Sequence, residues 1–213
     1  RAAAKKLRVP PQALQDLRLA KKTVDARKKG AVHFVCAALA SVSGESRLLA
    51  RLRDSSVQPE KPYRYQPPQA PPPELPPVVV GMGPAGLFAA LFLARNGVPC
   101  IILDRGRDVD KRTGDVEHFW QTGQLSPASN VQFGEGGAGT FSDGKLNTNP
   151  HDFRIGAVLK EFVRHGAPED ILWQQKPHVG TDLLRDVVKS IRRELLSLGC
   201  EVRFESQLTE LKT

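Results

Sequence analysis

Val78-Val79-Val80-Gly81-Met82-Gly83-Pro84-Ala85-Gly86-Leu87-Phe88 is the stretch of sequence that decides the fold. Its three β-branched residues predict a short strand buried on both faces of a parallel sheet. Gly81, Gly83 and Gly86 follow in G-x-G-x-x-G spacing, which predicts a sharp turn, a close backbone approach to a diphosphate and tight packing of a helix on the strand. Pro84 suits the first position of that helix, where free N–H groups and the positive end of the helix dipole favour an anion.

The residues after this stretch complete a strand-helix-strand unit. An apolar helix face precedes Asn96-Gly97, which ends the helix, and the run from Pro99 to Leu103 indicates a second parallel strand. Asp104 closes that strand. Its separation from Gly81 along the sequence is close to the one at which an acidic side chain accepts hydrogen bonds from an adenosine ribose. The unit therefore predicts a dinucleotide site. A tight strand-to-helix turn without a ligand is the alternative.

Arg105 follows the predicted ribose-binding acid. A basic side chain at this position can bind a 2′-phosphate or cover the adenine. Because Asp104 would repel a 2′-phosphate, we favour a cofactor without one. The next stretch, Arg107 to Gly123, is polar and charged, and we assign it no element.

A second glycine-rich stretch runs from Asn130 to Leu146, with five glycines between Gly134 and Gly144. So many glycines cost backbone entropy, which a loop needing only to turn does not require, and they indicate close approach to a ligand. Thr140 and Ser142 could donate to a phosphate or a ring carbonyl, and Lys145 could stabilise negative charge on a reduced cofactor. A flexible glycine loop is the alternative.

The net charge of +8 is confined to the first part of the chain. Residues 1–60 hold 13 Lys and Arg against 5 Asp and Glu, whereas residues 61–213 hold 18 of each. The basic segment could contact RNA or a membrane surface. Since no aromatic residues are interleaved with its Lys and Arg to stack on bases, we favour a solvated face and expect no nucleic-acid partner.

Four parts are expected along the chain: a small basic α/β module (1–58), a proline-rich linker (59–77), a Rossmann-like part with the glycine loop (78–150), and the start of a second, substrate or cap lobe (151–213). In the first part, Leu14, Leu17 and Val24 indicate a helix ended by Gly30. A strand from Ala31 to Leu39 and a helix from Glu45 to Leu52 should follow.

The second lobe should begin with two helices and a strand. Ile155 to Val163 predicts a helix ended by Gly166, and Thr181 should cap a longer helix that stops at Gly199. The alternation from Glu201 to Leu208 predicts a strand of another sheet. The chain has no Met at position 1 and stops just after this strand, so we expect an N-terminal fragment.

The cysteines and histidines give no catalytic or metal site. Three cysteines, Cys36, Cys100 and Cys200, indicate reduced structural thiols in a cytoplasm-like compartment, with the plastid stroma as the alternative. No apolar run reaches the ~18 residues of a membrane span. The histidines lack ligand spacing; His165 should be structural at a helix end, and His178 is the best candidate for a site residue among His33, His118, His151, His165 and His178.

Several of these segments together resemble the uncharacterised FAD-dependent dehydrogenases of bacteria and plastids, relatives of the two-dinucleotide-fold flavoproteins. The stretch from Gly134 to Leu146 is the most specific of them. The resemblance rests on Gly81 to Phe88, Asp104-Arg105-Gly106, Asn130 to Leu146, Asp25 to Lys29 and Lys176 to Asp182.

This resemblance implies FAD as the cofactor. The diphosphate would lie against Gly81, Gly83, Pro84, Ala85 and Gly86, and the ribose against Asp104. Toward the flavin, the ligand would meet Gly136, Gly137, Ala138 and Thr140. We therefore expect an FAD-dependent oxidoreductase of unknown substrate, with NAD(P)H as a possible electron donor. The alternatives are an NAD-dependent dehydrogenase with a single nucleotide fold, or a nucleic-acid- or partner-binding protein with a vestigial glycine motif.

Overall fold

The chain is a mixed α/β protein with a small parallel sheet. The structure, a computed structural model, describes residues 1–61, 71, 73–143, 145–146, 152 and 154–212. Most of the predicted linker and His151 lie outside the described residues. The helices are α1 (Ala2–Leu7), α2 (Glu45–Leu52), α3 (Pro84–Arg95), α4 (Val109–Thr122), α5 (Ile155–Arg164) and α6 (Thr181–Ser197). The strands are β1 (Leu14–Asp25), β2 (His33–Val42), β3 (Val78–Val80), β4 (Ile101–Leu103) and β5 (Glu201–Arg203).

The first part of the chain contains a long antiparallel hairpin of β1 and β2. The prediction of a helix over Leu14 to Val24 is wrong, because this segment is β1 and pairs with β2 from Leu14–Val42 to Asp25–His33. The cross-strand pairs with β2, such as Val24 with Phe34, outweigh the helical spacing of three apolar residues. The predicted helix Glu45–Leu52 is confirmed.

Three parallel strands form the central sheet in the order β3-β4-β5. Val78 pairs with Ile101, and Ile101 pairs with Glu201. The strand predicted over 201–208 is shorter than expected and joins β4, so the expectation that it enters another sheet is wrong. The cause is the preceding helix. Because α6 packs on α3, β5 follows it directly to the open edge of β4.

The core lies between the sheet and the helices α3 and α6. It contains Met82, Leu87, Ala90, Leu91, Ala94, Ile102, Val187, Val188, Ile191 and Leu195. Val78 and Val80, however, are 54% and 56% exposed. The predicted burial of β3 on both faces is therefore wrong, because α3 and α6 cover only the face that carries Val79 and Ile102.

Helix α4 lies in the polar stretch to which no element was assigned. Asp108 caps its start by accepting hydrogen bonds from the N–H groups of Asp110 and Lys111, both 3.1 Å long. Gly123 ends it in the left-handed conformation. Val109, Arg112 and Val116 form its buried side. The helix thus carries an arginine into the interior, next to the glycine-rich loop.

The two helices predicted in the last part of the chain, α5 and α6, are present. Gly180, rather than Thr181, occupies the capping position before α6, so no side chain caps the start of this helix. His165 follows the end of α5, as predicted. Its Nδ1 lies 3.0 Å from the Ser190 hydroxyl and its Nε2 lies 3.2 Å from the Glu194 carboxylate.

Candidate functional site

The glycine turn after β3 has two glycines that the fold itself requires. Gly81 has a φ of +91° and donates its N–H to the Leu103 carbonyl at 2.7 Å. A Cβ on Gly86 would overlap the Gly81 carbonyl, so α3 can begin this close to β3 only without a side chain there. Gly83 differs, because its φ of −67° suits any residue and a Cβ would meet open space. The fold alone does not require glycine at position 83.

Helix α3 points its amino end at this open space. Pro84 is its first residue, behind the extended Gly83, as the sequence predicts. The first N–H groups of a helix have no partner within it, and in a helix of 12 residues they combine with the positive end of the dipole. The arrangement favours an anionic group beside Gly83.

The glycine-rich loop reaches the same place from a distant part of the sequence. Gly134, Gly136 and Gly137 all have positive φ, at +107°, +79° and +72°. The Gly136 N–H donates to the Met82 carbonyl at 2.8 Å. A Cβ on Gly137 would lie 2.7 Å from Cδ of Pro84. The two glycine bends are therefore in direct contact, and their closeness depends on the missing side chain.

A cleft of about 620 Å³ opens where the two bends meet. This volume suits a small-molecule or cofactor site. Seven of the residues predicted as cofactor contacts line it: Gly81, Gly83, Pro84, Asp104, Arg105, Gly137 and Ala138. Four others, Ala85, Gly86, Gly136 and Thr140, are not among its lining residues.

Asp104 is 3% exposed and already engaged with the main chain. Its Oδ2 accepts from the Met82 N–H at 2.7 Å, and its Oδ1 accepts from the Gly106 N–H at 2.8 Å. The carboxylate thus ties the end of β4 to the glycine turn. Each oxygen retains one lone pair, so a further donor in the cleft can still bind.

Arg105 lies over an aromatic ring at the edge of the cleft. Its guanidinium carbon is 3.5 Å from the centroid of the Phe133 ring. A planar guanidinium stacks well on an aromatic face, and the pair forms one wall. Phe133 belongs to the glycine-rich segment and was not predicted as a site residue.

Two predicted ligand contacts instead support the loop from behind. Thr140 is completely buried, and its hydroxyl donates to the Glu135 carbonyl at 3.5 Å. A Cβ on Gly136 would crowd Val188 of α6, at 2.9 Å. Lys145 lies elsewhere, paired with Asp143 at 2.7 Å in an exposed position.

Sequence reasoning missed the part of the lining that β5 brings to the cleft. The unpredicted lining residues are Val80, Leu103, Gln132, Phe133, Gly134, Ser206, Gln207 and Leu208. Ser206 is fixed there because its N–H donates to the Asp104 carbonyl at 2.9 Å. A signal existed: in parallel sheets, the residues after the carboxyl end of a neighbouring strand line the ligand crevice.

Beneath the cleft lies a cluster of buried charges. Arg112 and Glu135 have no exposed surface, and Arg192 places its Nε 3.2 Å from the Glu135 carboxylate. Glu135 also accepts from the N–H of Val109, the first residue of α4, at 2.6 Å. Burial raises the pKa of Glu135, opposed by the nearby Arg192 charge. Burial lowers the pKa of Arg112 to about 10, opposed by Asp104 and Glu135.

The histidines of the described ranges do not line the cleft. His165 packs between α5 and α6, which agrees with its predicted structural role. His178 forms an isolated antiparallel bridge with Lys145. Within the described parts of the chain, no helix is long and apolar enough to cross a membrane.

Comparison with known proteins assigns a domain to this region. Residues 74–114 match the model of an FAD binding domain, which covers β3, the glycine turn, α3, β4, Asp104 and the start of α4. Residues 1–40 match a domain of unknown function (DUF8436). The first match supports FAD as the ligand of the region around the cleft.

A bacterial relative extends the similarity over nearly the whole chain. An uncharacterized protein of Clostridium beijerinckii is 46% identical over 209 residues, which is 97% of this chain. The chain spans 39% of that relative's length. The FAD binding domain match therefore supports a flavoprotein.

Proposed function

We propose that the chain is the FAD-binding part of a flavin-dependent oxidoreductase and that FAD binds in the cleft between the two glycine bends. The observation that carries this proposal is the contact between Gly137 and Pro84, which is possible only without a side chain at position 137. The contact joins the region matched by the FAD binding domain to a second, distant glycine bend. A single βα turn would need only the first bend.

In this proposal the diphosphate lies beside Gly83. Its oxygens accept from the free N–H groups at the start of α3, which include that of Ala85, and the helix dipole stabilises their charge. The open space beside Gly83, where a Cβ would stand, lets the diphosphate approach the main chain. Gly81 and Gly86 act indirectly, because they permit the turn and the close start of the helix. This arrangement is Rossmann-like.

The adenosine end of FAD lies between Asp104 and the residues after β5. The Asp104 oxygens accept from the ribose hydroxyls with their remaining lone pairs. Arg105, stacked on Phe133, and the segment 206–208 enclose the adenine. Since a carboxylate at the ribose repels a 2′-phosphate, the site favours FAD over a phosphorylated nicotinamide dinucleotide.

From the diphosphate, the flavin end continues past Gly137 and Ala138, which Gly136 and Thr140 support from behind. When bound, FAD supplies hydride or electron transfer, while the chain supplies binding and orientation. NAD(P)H is the electron donor that we propose for the whole protein. No side chain of this part is assigned a proton-transfer role.

Identifying the cofactor bound to the purified, full polypeptide tests this proposal. The purified protein is expected to show a flavin absorption band. Chromatography of the ligand released by heat, against FAD, FMN and NAD standards, should give FAD in near-stoichiometric amount. Release of NAD, or a protein that stays colourless after incubation with FAD, would overturn the assignment.

A further inference from the structure

Arg112 is the largest completely buried side chain among the described residues. It projects from α4 beneath the glycine-rich loop. An arginine in such a position carries a large desolvation cost unless its donors are satisfied. What the guanidinium binds therefore indicates why it is there.

The guanidinium donates four hydrogen bonds, all to main-chain carbonyls of one loop. The acceptors are the carbonyls of Asn130 at 2.8 Å, Val131 at 3.2 Å, Glu135 at 2.8 Å and Gly137 at 3.1 Å. None is a carboxylate. The planar, forked guanidinium thus fixes the directions of four peptide groups, which a single point charge could not do.

Fixing a carbonyl also fixes the N–H of the next residue. In a trans peptide the C=O and N–H groups point in opposite directions, and no cis peptide occurs among the described residues. The peptide between residues 135 and 136 follows this rule, with its carbonyl on Arg112 and its N–H on the Met82 carbonyl. Each side of that peptide group therefore has a partner.

The peptide between residues 137 and 138 has a partner on one side only. The Gly137 carbonyl accepts from Arg112 at 3.1 Å and from the Thr140 N–H at 3.4 Å, so the Ala138 N–H points away from both donors. Ala138 lines the cleft, and within the described ranges its N–H donates to no other group. The Ala138 N–H is thus a free donor at the cleft, and the hydrogen bond from Arg112 to the Gly137 carbonyl, which is shorter than the one from the Thr140 N–H, helps to set its direction.

We propose that Arg112 is a positioning residue of the cofactor site: by holding the Gly137 carbonyl, it turns the Ala138 N–H toward the cleft, where this group donates to the diphosphate of the ligand. This inference rests on the proposed function, because it needs a diphosphate in the cleft. Arg112 itself does not touch the ligand.

The test compares Arg112→Lys with wild type in the full polypeptide. Lysine keeps the positive charge but cannot bind four separated carbonyls, so the 137–138 peptide loses its fixed direction. Affinities for ADP and for adenosine are measured by competition against FAD. The variant is expected to bind ADP about tenfold more weakly, the value of one hydrogen bond to a charged group, with adenosine binding unchanged.

Arg95→Lys is the matched control. Arg95 is a partly buried arginine of α3 that pairs with Glu161 and Glu194, away from the cleft. The control should lower the melting temperature without changing the ratio of ADP to adenosine affinity. Stabilisation by the ligand gives a second comparison: added FAD should raise the melting temperature of Arg95→Lys more than that of Arg112→Lys.

Each outcome has a defined meaning. Equal losses of ADP and adenosine affinity in Arg112→Lys, or no loss of either, would overturn the inference and leave the proposed function standing. Failure of wild type to bind FAD and ADP would overturn both. If Arg112→Lys does not fold, amide hydrogen exchange in wild type decides: the Ala138 amide should exchange more slowly with ADP, and an unchanged rate would overturn the inference.

Discussion

The Asp104 carboxylate accepts a hydrogen bond from the Met82 N–H at 2.7 Å and so connects the ends of β4 and β3. Met82 lies between the first two glycines of the turn. The second oxygen binds the Gly106 N–H at 2.8 Å. Asp104 therefore holds the turn in the shape that the proposed ligand requires, in addition to facing the ribose.

We expect Asp104→Asn to destabilise the fold. The amide offers one acceptor oxygen, so its NH₂ group would face a backbone N–H and leave that buried donor without a partner, at about 1–3 kcal/mol. Urea unfolding measures the loss. Asp108→Asn is the control, because a single oxygen of Asp108 accepts both of its hydrogen bonds and Asn caps helices as well as Asp. Equal effects of both changes would contradict the expectation.

Gly83→Ala should separate ligand binding from folding. The φ of −67° and the open space leave the methyl group without strain or clash, so the free energy of unfolding should stay equal or rise by about 0.4–1 kcal/mol. FAD affinity should fall, because the methyl group occupies the space assigned to the diphosphate. Gly30→Ala, which also has open space, is the control. Unchanged FAD binding in Gly83→Ala would show that the diphosphate does not lie at this position.

Gly137→Ala should measure the crowding between the two bends. Gly137 and Gly180 both combine a positive φ with an extended ψ, at +72° and −170° and at +83° and 148°, so alanine at either position carries similar backbone strain of about 1–3 kcal/mol. Only at position 137 does the methyl group also meet Pro84, because a Cβ on Gly180 would have no neighbour within 4 Å. We expect Gly137→Ala to lose about 1–3 kcal/mol more than Gly180→Ala in urea unfolding, and to lose FAD. Similar losses would show that the bends separate easily.

His165 should make stability depend on pH. Burial lowers its pKa below 6.5, although Glu194 and Glu161 oppose the shift; Arg95 and Arg164 add to it. The unfolded chain therefore binds a proton more readily, and the free energy of unfolding should fall as the pH drops through 6.5 toward the folded pKa. His165→Asn should reduce the slope of the free energy of unfolding against pH, whereas the same change at the exposed His118 should leave this slope unchanged. Parallel slopes in wild type and His165→Asn would contradict this.

The cysteines should react at different rates. Cys36 is exposed in the hairpin, whereas Cys100 and Cys200 are buried with their sulfurs 3.6 Å apart. Burial, with the hydrogen bond to Cys200, raises the pKa of Cys100 to about 12, so little thiolate is present. Titration with a disulfide reagent should find one fast thiol in the native chain and three after denaturation. Cys36→Ser should abolish the fast phase; rapid reaction of a buried thiol would refute the prediction.

Local patterns predicted the strand, glycine turn and helix from Val78 to Arg95, because the chemistry of each position agrees with its neighbours. The same reasoning failed for β1, since its strand form depends on pairing with β2 rather than on its own spacing. It also missed α4. The inward residue there is Arg112, which satisfies its donors with carbonyls of a loop that lies later in the chain. No helical hydrophobic pattern signals such a residue.

The site residues also divide into those that local spacing predicts and those whose position depends on the tertiary structure. Gly81, Gly83, Pro84 and Asp104 were predicted from spacing alone, and all four line the cleft. Thr140 was predicted as a ligand contact from its neighbourhood of glycines, but it is completely buried and bonds to the loop itself. A pattern shows that a loop must come close to something; it does not show which of its residues face outward.

The strand order β3-β4-β5 has a consequence for biosynthesis. Segment 206–208, one wall of the cleft, is positioned only after β5 has added to β4. A ribosome makes the two glycine bends well before it makes this wall, so a nascent chain that has emerged only as far as α5 offers an open groove. Capture of the flavin nucleotide should therefore wait for translation to pass α6.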